Sequence, residues 1–204
     1  EQKEQLLKDL ESSNEGLQEY AHIVSHDLKS PLRSISALVS WLEEDFGDKL
    51  GPAGLSQLTL MQDKIASMDQ LITGILRYSS IGSEKARFEI CPTLKLVQQL
   101  KATIYWPEQI ALRFNGTMPS IKADKTQLQQ LFQNLLSNAI SHMDKPKGQI
   151  EIGYNDLGDL HEFSVKDNGI GIPKAYKEKI FEIFETLESG KGSSGIGLSI
   201  VKKI

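Results

Sequence analysis

Apolar residues recur at steps of three, four or seven positions along the first part of the chain. That spacing places them on one stripe of a helix, while charged and polar residues cover the rest of its surface. The stripe is formed by Leu6, Leu10, Leu17, Val24, Leu28, Leu32, Ile35, Val39 and Leu42. The sequence therefore predicts one long amphipathic helix from residue 1 to about residue 46.

A second helix is predicted after a turn at residues 45–54, where three glycines and Pro52 interrupt the pattern. Its apolar stripe ends near Tyr78 and is formed by Leu58, Ile65, Met68, Leu71, Ile72, Ile75 and Leu76. Two such helices joined by a short turn make an antiparallel hairpin. Because the two stripes cannot cover each other fully, we expect a homodimer in which two hairpins form a four-helix bundle. A plain coiled-coil spacer is the alternative that the stripes leave open.

From Phe88 onward the pattern changes to short strands interspersed with helices. Strand-like segments are residues 102–106, 111–115, 149–154 and 161–166, and helical segments are residues 92–100 and 124–141. Asp124 and Thr126 are both suitable N-caps for the second of these helices. We expect an α+β sandwich with helices on one face of a mixed sheet. The predicted organisation is a first domain at residues 1–80, a linker at 81–87 and a second domain at 88–204.

Composition narrows the class of protein further. The net charge of -4 argues against a dedicated nucleic-acid-binding protein, and Cys91 alone provides neither a disulfide framework nor a multi-cysteine metal site. No run of about 18 apolar residues is present, so we expect no direct membrane insertion by this fragment. The chain begins inside a helical pattern, which indicates a fragment of a longer protein. We expect the fragment to be cytoplasmic, and the full-length protein could be membrane-anchored.

The segment S-H-D-L-K-S-P-L contains the first group of chemically capable residues. His26 is offset from the apolar stripe, so its imidazole should face solvent, and a neutral ring nitrogen there can accept a phosphoryl group. Asp27 can take the second ring proton or orient the ring. Ser30 lies one helical turn after His26, on the same face. His22, one turn earlier, is interpreted as an ordinary surface histidine.

Two further groups lie in the second half. Asn134 and Asn138 are four residues apart, so both side chains project from one face of a helix, and their amide oxygens suit Mg²⁺ shared with phosphate. In D-N-G-I-G, Asp167 follows a strand and offers a carboxylate to an adenine amino group. The glycines of that motif, Gly169 and Gly171, let the backbone approach the ring.

A glycine-rich turn at residues 190–198 leads into a helix and predicts an anion site for phosphates. About twenty residues rich in Lys, Glu, Ile and Phe separate it from D-N-G-I-G, a length of irregular chain that is typical of a mobile lid.

The order and spacing of these four groups resemble those of sensor histidine kinases of two-component systems. S-H-D-L-K-S-P-L is similar to their phosphoacceptor box, N-L-L-S-N to their N box and D-N-G-I-G to their first Gly box. I-F-E-I-F is similar to the Phe box and G-S-S-G-I-G-L to the second Gly box. The resemblance covers nearly the whole chain.

The resemblance implies a dimerisation and histidine phosphotransfer domain followed by a Bergerat-type (GHKL) ATP-binding domain. It implies ATP and Mg²⁺ as ligands, with attack by His26 on the γ-phosphorus and transfer to an Asp in a response regulator receiver domain. Asn134 and Asn138 would hold Mg²⁺, and Asp167 would bind adenine. Phe181 and Phe184 would anchor the lid. The implied nucleotide-binding set is Asn134, Asn138, Asp167, Gly169, Gly171, Ser194, Gly195, Gly197 and Leu198.

Three positions depart from the family pattern. Ser141 stands where a basic residue often touches a phosphate, so Lys145 or Lys147 would have to supply that charge. Ser193 replaces the usual first glycine of the last box. The chain ends at Ile204, so the strands that normally follow are expected to be missing. In related kinases the residue at the Ser30 position helps to aim a water molecule at the phosphorylated partner, which makes phosphatase activity a further hypothesis.

Two other functions remain open from the sequence. A hydrolytic ATPase of the topoisomerase or chaperone kind uses a carboxylate at the position of Asn134 to activate water, and an amide cannot act as that base near neutral pH. This favours transfer to His26 over hydrolysis. The other alternative is a dimeric scaffold that binds ATP weakly and only relays conformation, and the departures at Ser141 and Ser193 leave it open.

Overall fold

A computed structural model describes residues 2–82, 86–186 and 195–204 of the 204-residue chain. The chain divides into two compact units, Glu1–Glu84 with Ile183–Ile196, and Lys85–Glu182 with Gly197–Ile204.

The first unit is built on helix α1, Gln2–Ser80, whose backbone leaves the helical region at Gly51 (φ 64°, ψ 178°). The chain reverses direction there. The evidence is a 2.7 Å hydrogen bond that Nε2 of Gln62 donates to Oε2 of Glu43. In a continuous helix these residues would be about 28 Å apart. The predicted helical hairpin is therefore confirmed, with a first arm of residues 2–50 and a second arm of residues 52–80.

Each arm has an inner and an outer apolar stripe. The inner residues Leu32, Val39, Leu58 and Ile72 are each at most 6% exposed. The outer residues recur every seven positions and are between 36% and 51% exposed: Leu28, Ile35 and Leu42 on the first arm, and Met61, Met68 and Ile75 on the second. The inner stripes close the hairpin, whereas the outer stripes leave apolar surface uncovered in the chain by itself.

The second unit alternates strands and helices. In chain order its elements are β1 (Phe88–Pro92), α2 (Thr93–Thr103), β2 (Ile110–Asn115), β3 (Ser120–Asp124), α3 (Lys125–Ser141), β4 (Gly148–Asp156), β5 (His161–Asp167), 3₁₀ turns at Lys174–Tyr176 and Lys179–Phe181, and α4 (Gly197–Lys203). β1 pairs antiparallel with β3. The larger sheet has the order β2-β4-β5, with β2 parallel and β5 antiparallel to β4.

The core of this unit lies between the three-stranded sheet and helices α2 and α3. Phe132 and Leu136 of α3 meet Ile150 and Ile152 of β4, and all four are completely buried. Phe132 packs edge-to-face against Phe163 of β5, with ring centroids 5.5 Å apart. The expected sandwich of helices on a mixed sheet is confirmed.

Some of the predicted strands differ from the structure. The strand expected at residues 102–106 is wrong, since α2 continues to Thr103 and the following residues form a loop. Trp106 is held in that loop by Nε1, which donates a 2.8 Å hydrogen bond to the carbonyl of Ile110. β1 and β3 were not predicted. Among the described residues, none of the helices has the length and apolar character needed to cross a bilayer.

Candidate nucleotide and phosphoacceptor sites

The orientation of α3 is set at its first turn. Oδ1 of Asp124 accepts a 3.0 Å hydrogen bond from the backbone amide of Gln127, so Asp124 and not Thr126 is the N-cap of the two candidates predicted. Oδ2 of the same carboxylate accepts a 3.0 Å bond from the amide of Arg87. These hydrogen bonds stabilise the charged form and lower the pKa of Asp124 from its ordinary value of 3.8. One side chain thus fixes the start of the helix and the chain entering the unit.

Asn134 and Asn138 lie on the face of α3 turned away from its buried stripe. At about 100° per residue, Asn134 is about 200° around the helix from Phe132. Both asparagines are half-buried. α4 packs against α3, and a Cβ atom added at Gly197 would stand 3.5 Å from Oδ1 of Asn134. The missing side chain of Gly197 therefore leaves space directly beside this amide.

The Nδ2 group of Asn134 is buried and has no hydrogen-bond acceptor among the described residues. An unsatisfied buried donor costs about 1–3 kcal/mol. A ligand oxygen reaching this position would remove that cost, so the site has a donor that the folded chain does not use. Within the described part of the chain, no group of three or more His, Cys, Asp or Glu side chains could hold a metal ion.

Asp167 is the last residue of β5 and begins the turn that follows this strand. Oδ1 of Asp167 accepts a 2.9 Å hydrogen bond from the amide of Gly169, which turns the chain back on itself. Oδ2 has no protein partner in the described ranges, and the side chain is exposed. The carboxylate is thus held at one oxygen and open at the other.

Gly169 packs directly against the end of α3. A Cβ atom at this position would overlap the carbonyl oxygen of His142 and would lie 3.0 Å from Oδ1 of Asp167. The next amide, from Ile170, donates a 3.3 Å hydrogen bond to the same carbonyl. His142 in turn donates its own amide to the carbonyl of Asn138 at 3.1 Å. The loop that carries Gly169 is therefore joined to the end of α3 that carries Asn138 through the backbone of His142.

Asn168 lies between Asp167 and Gly169, and the sequence motif assigned it no role of its own. Its Oδ1 accepts a 2.8 Å hydrogen bond from the amide of Gln149, and its Nδ2 donates a 3.2 Å bond to the carbonyl of Lys147. Its own amide donates to the carbonyl of Gln149 at 3.2 Å. In the sequence, an asparagine between Asp and Gly indicates only a turn. Its long-range hydrogen-bond partners follow from the register of β4 and β5.

The remaining predicted nucleotide-binding residues are distributed differently. Gly171 has a positive φ of 73° two residues after Gly169, and Leu198 is half-buried on α4. Gly195 belongs to the first unit and has φ 65°. Its carbonyl accepts a 3.0 Å hydrogen bond from the amide of Phe184. Ser194 and Ser193 lie outside the described residues.

The two lid phenylalanines have different environments. Phe181 is half-buried, whereas the side chain of Phe184 is 55% exposed. Phe184 also has a positive φ of 71°, which is uncommon for a non-glycine residue. What holds Phe184 in the described structure is its backbone bond to Gly195, not burial of its ring.

Among the lysines expected to replace a basic residue at Ser141, Lys145 already has a partner. Its Nζ lies 3.2 Å from Oδ2 of Asp144. Ser141 itself is exposed at the last position of α3. The assignment of Lys145 or Lys147 to a phosphate therefore stays a prediction.

His26 is on the surface of the first arm, as predicted. Its Nδ1 lies 3.3 Å from Oδ1 of Asp27, and the two side chains are 72% and 73% exposed. An exposed pair of this kind contributes about 0–1 kcal/mol to stability. Ser30 is also exposed, and its carbonyl accepts a 3.3 Å hydrogen bond from Oγ of Ser34. These three side chains can therefore be replaced with little effect on the fold.

Two family descriptions match the chain in sequence order. Residues 16–84 match the His Kinase A (phospho-acceptor) domain. Residues 123–204 match the histidine kinase-, DNA gyrase B- and HSP90-like ATPase. The first match contains His26 and the second contains the asparagine pair and Asp167. The phosphoacceptor and ATPase domains thus occur together in one chain.

Related proteins include phytochromes and histidine kinases. Cyanobacterial phytochrome A of Nostoc sp. is 35% identical over 98% of this chain and 27% of its own length. The methanogenesis regulatory histidine kinase FilI of Methanothrix harundinacea is 30% identical over 97% of this chain and 23% of its own length. The chain spans about a quarter of the length of these curated relatives.

Solved structures share the fold. Full-length ShkA in complex with AMPPNP has a TM-score of 0.63 at 22% identity, over 91% of this chain and 40% of that chain. The histidine kinase ThkA in complex with the response regulator protein TrrA has a TM-score of 0.58 at 22% identity, over 88% and 53% of the respective chains. The chain belongs to the sensor histidine kinases.

Proposed function

We propose that this chain is the catalytic core of a protein-histidine kinase, which transfers the γ-phosphoryl group of ATP to His26 and then to an Asp of a response regulator. The observation that carries the proposal is the pairing of Nδ1 of His26 with Oδ1 of Asp27 at 3.3 Å on an exposed helix. A proton held on Nδ1 by this carboxylate leaves Nε2 as the unprotonated nitrogen. The imidazole is then a nucleophile that faces solvent.

The proposed reaction is an in-line displacement. Nε2 of His26 forms a bond to the γ-phosphorus while the bond to the β–γ bridging oxygen breaks, and ADP leaves with that oxygen. The proton on Nδ1 passes to Asp27, which yields a neutral phosphohistidine. In the second step the P–N bond breaks as a carboxylate oxygen of the response regulator binds phosphorus. The domain bounds 1–80, 81–87 and 88–204 belong to this proposal.

In the nucleotide site, Asp167 is proposed to accept a hydrogen bond from the adenine amino group through its open Oδ2. Gly169 and Gly171 would line the base, and Ser194, Gly195, Gly197 and Leu198 would lie along the phosphates. The unused Nδ2 of Asn134 and the space beside Gly197 support a phosphate oxygen at this point.

The two asparagine side chains also fit Mg²⁺. Amide oxygens are hard, neutral ligands, and Asn134 and Asn138 face the same way from α3. When bound, Mg²⁺ would neutralise charge on the triphosphate. The amides would orient the phosphate chain without acting as bases, since a carboxamide does not accept a proton near neutral pH. This supports transfer over hydrolysis.

The partners proposed are a second copy of the chain and a receiver domain. The outer stripes of the hairpin arms repeat every seven residues, the spacing that packs helices side by side in bundles. Uncovered apolar side chains on both arms support a homodimeric four-helix bundle. The receiver domain would dock on the hairpin near His26, with its Asp presented to the phosphorylated imidazole.

Incubation of the protein with γ-labelled ATP and Mg²⁺ tests the proposal against its alternatives. Label on the protein that is labile in acid and stable in base is expected from phosphohistidine. Free phosphate without protein label would show a hydrolytic ATPase and contradict the proposal. Nucleotide binding that yields neither labelled protein nor free phosphate would contradict the proposal and favour the dimeric scaffold.

A phosphatase activity toward the regulator is proposed for Ser30, whose exposed hydroxyl can orient a water molecule. Ser30→Ala should leave labelling of His26 intact and slow dephosphorylation of the regulator. Unchanged dephosphorylation in this variant would exclude the role.

A further inference from the structure

The strand that ends in Asp167 needs support that its own ladder does not supply. Within the described residues, β5 pairs with β4. The last residue pair of that ladder is Ile150 with Asp167. A strand tends to open first at its ends, where few hydrogen bonds hold the backbone. A carboxylate that recognises a ligand from the end of a strand therefore depends on the residues after the strand to fix its position.

Asn168 supplies that support through three hydrogen bonds. Its amide extends the ladder by one bond to the carbonyl of Gln149, and its side chain bonds on both sides of Gly148. Oδ1 accepts from Gln149 at 2.8 Å, and Nδ2 donates to the carbonyl of Lys147 at 3.2 Å. The side chain must be donor and acceptor at once, which an amide of this length provides. An aspartate would keep the acceptor and direct its other oxygen at a carbonyl.

We propose that Asn168 is a positioning residue for adenine recognition, because its side-chain amide locks the end of β5 and thereby aims the carboxylate of Asp167. This inference rests on the adenine role proposed for Asp167. Asn168 itself does not contact the base. Without the lock, Asp167 would sample several directions, and binding would lose the part of its energy that depends on the 6-amino group.

The test compares affinities for ADP and for purine riboside diphosphate, which lacks the 6-amino group, by isothermal titration. A hydrogen bond to a charged acceptor is worth about tenfold or more in affinity, so the wild-type chain should prefer ADP by that factor. Asp167→Ala should abolish the preference. Asn168→Ala should reduce it most of the way to that level, and Asn168→Asp to an intermediate value.

Asn155→Ala is the matched control. This asparagine is at the far end of the same strand pair, where its Nδ2 donates to Oε2 of Glu162 at 2.8 Å. Its loss should leave the ADP preference unchanged. The ratio of two affinities does not depend on how much of a variant is folded, and Asn168→Asp provides a second variant if Asn168→Ala folds poorly.

The outcomes separate this inference from the proposed function. If Asn168→Ala keeps the wild-type preference while Asp167→Ala loses it, Asn168 serves only the fold and the inference is wrong. If the wild type shows no preference, or Asp167→Ala retains it, the adenine role of Asp167 fails and the inference fails with it.

Discussion

The amide of Ile170 donates a 3.3 Å hydrogen bond to the carbonyl of His142, which joins the loop after β5 to the end of α3. The same stretch of α3 carries Asn138, whose carbonyl accepts the amide of His142 at 3.1 Å. The loop that contains Gly169, proposed to line the adenine base, is therefore linked through the backbone of His142 to Asn138, which is proposed to hold Mg²⁺. A change at this junction should therefore affect the binding of both the adenine end and the phosphate end of the nucleotide.

Gly169→Ala tests this junction. The added Cβ would overlap the carbonyl of His142 and crowd Oδ1 of Asp167, so the loop and α3 have to separate. We expect a loss of about 1–3 kcal/mol in unfolding free energy, as for other overpacked sites, together with weaker ADP binding. Thermal denaturation and titration calorimetry measure the two effects.

Gly16→Ala is the control for Gly169→Ala. A Cβ atom at Gly16 meets nothing within 4 Å, and the residue lies in a helix. We expect unchanged ADP affinity and equal or higher stability. Wild-type ADP binding in Gly169→Ala would contradict the close contact with His142.

Asp124 should make stability depend on pH in the acid range. Its pKa is lowered in the folded state, mainly by the hydrogen bond from Gln127 and then by that from Arg87. The stabilisation is complete above the ordinary pKa of 3.8 and is lost as the pH falls through the lowered folded-state pKa. Urea denaturation at several pH values should show this decline.

In Asp124→Asn the group at this position no longer titrates, so the decline below about pH 4 should be shallower than in the wild type. Asp124→Ala should cost about 1 kcal/mol near neutral pH through loss of the helix cap. Parallel pH profiles for the wild type and Asp124→Asn would show that the capping bonds do not favour the charged carboxylate.

Leu42→Lys tests the proposed dimer. Leu42 is 46% exposed on the outer stripe of the first arm, where a second copy would cover it. A buried, unpaired ammonium group is strongly unfavourable in such an interface. Light scattering should show a shift from twice the chain mass toward the single chain mass.

Glu44→Lys is the matched control for the dimer, because it introduces the same side chain about 200° around the helix from Leu42. We expect it to remain dimeric. A wild-type chain that is monomeric at all accessible concentrations would contradict the homodimer.

Cys91 should be unreactive in the folded protein. It is 2% exposed, and burial, followed by the nearby charge of Glu89, raises the pKa of its thiol. Because the thiolate is the reactive form, a disulfide reagent should modify the native chain much more slowly than the unfolded chain. Since Cys91 is the single cysteine, the reaction reports one site. Equal rates would contradict the burial of Cys91 in the core as part of β1.

The sequence predicted those parts of the fold that depend on local spacing. The hairpin arms follow from their repeated stripes, and residue type and position narrow the helix cap to Asp124 or Thr126. The strand at Phe88–Pro92 was missed because its apolar residues Phe88 and Ile90 are 63% and 66% exposed, so they do not mark a buried face. The strand expected at residues 102–106 was wrong because β-branched and aromatic side chains there pack from a helix end and a loop.

The helical face shared by Asn134 and Asn138 was predictable from the sequence, whereas the backbone contacts around these residues were not. Asn134 and Asn138 are four residues apart, so they share a face of any helix that contains both, and both lie on α3. The bonds of Asn168 to Lys147 and Gln149 depend on the register of two strands, which no local pattern specifies. The carbonyl of His142 against Gly169 depends on how α3 meets that sheet. Both contacts are made to backbone groups of the partner residue. The identity of the partner's side chain therefore does not indicate either contact in the sequence.

The most direct test of the central claim compares His26→Gln with His22→Gln in the γ-labelled ATP assay. Both histidines are exposed on the first arm, one helical turn apart, so neither change should disturb the fold. We expect His26→Gln to lose all acid-labile label and His22→Gln to retain the wild-type level. Label that persists in His26→Gln and disappears in His22→Gln would contradict His26 as the phosphoacceptor.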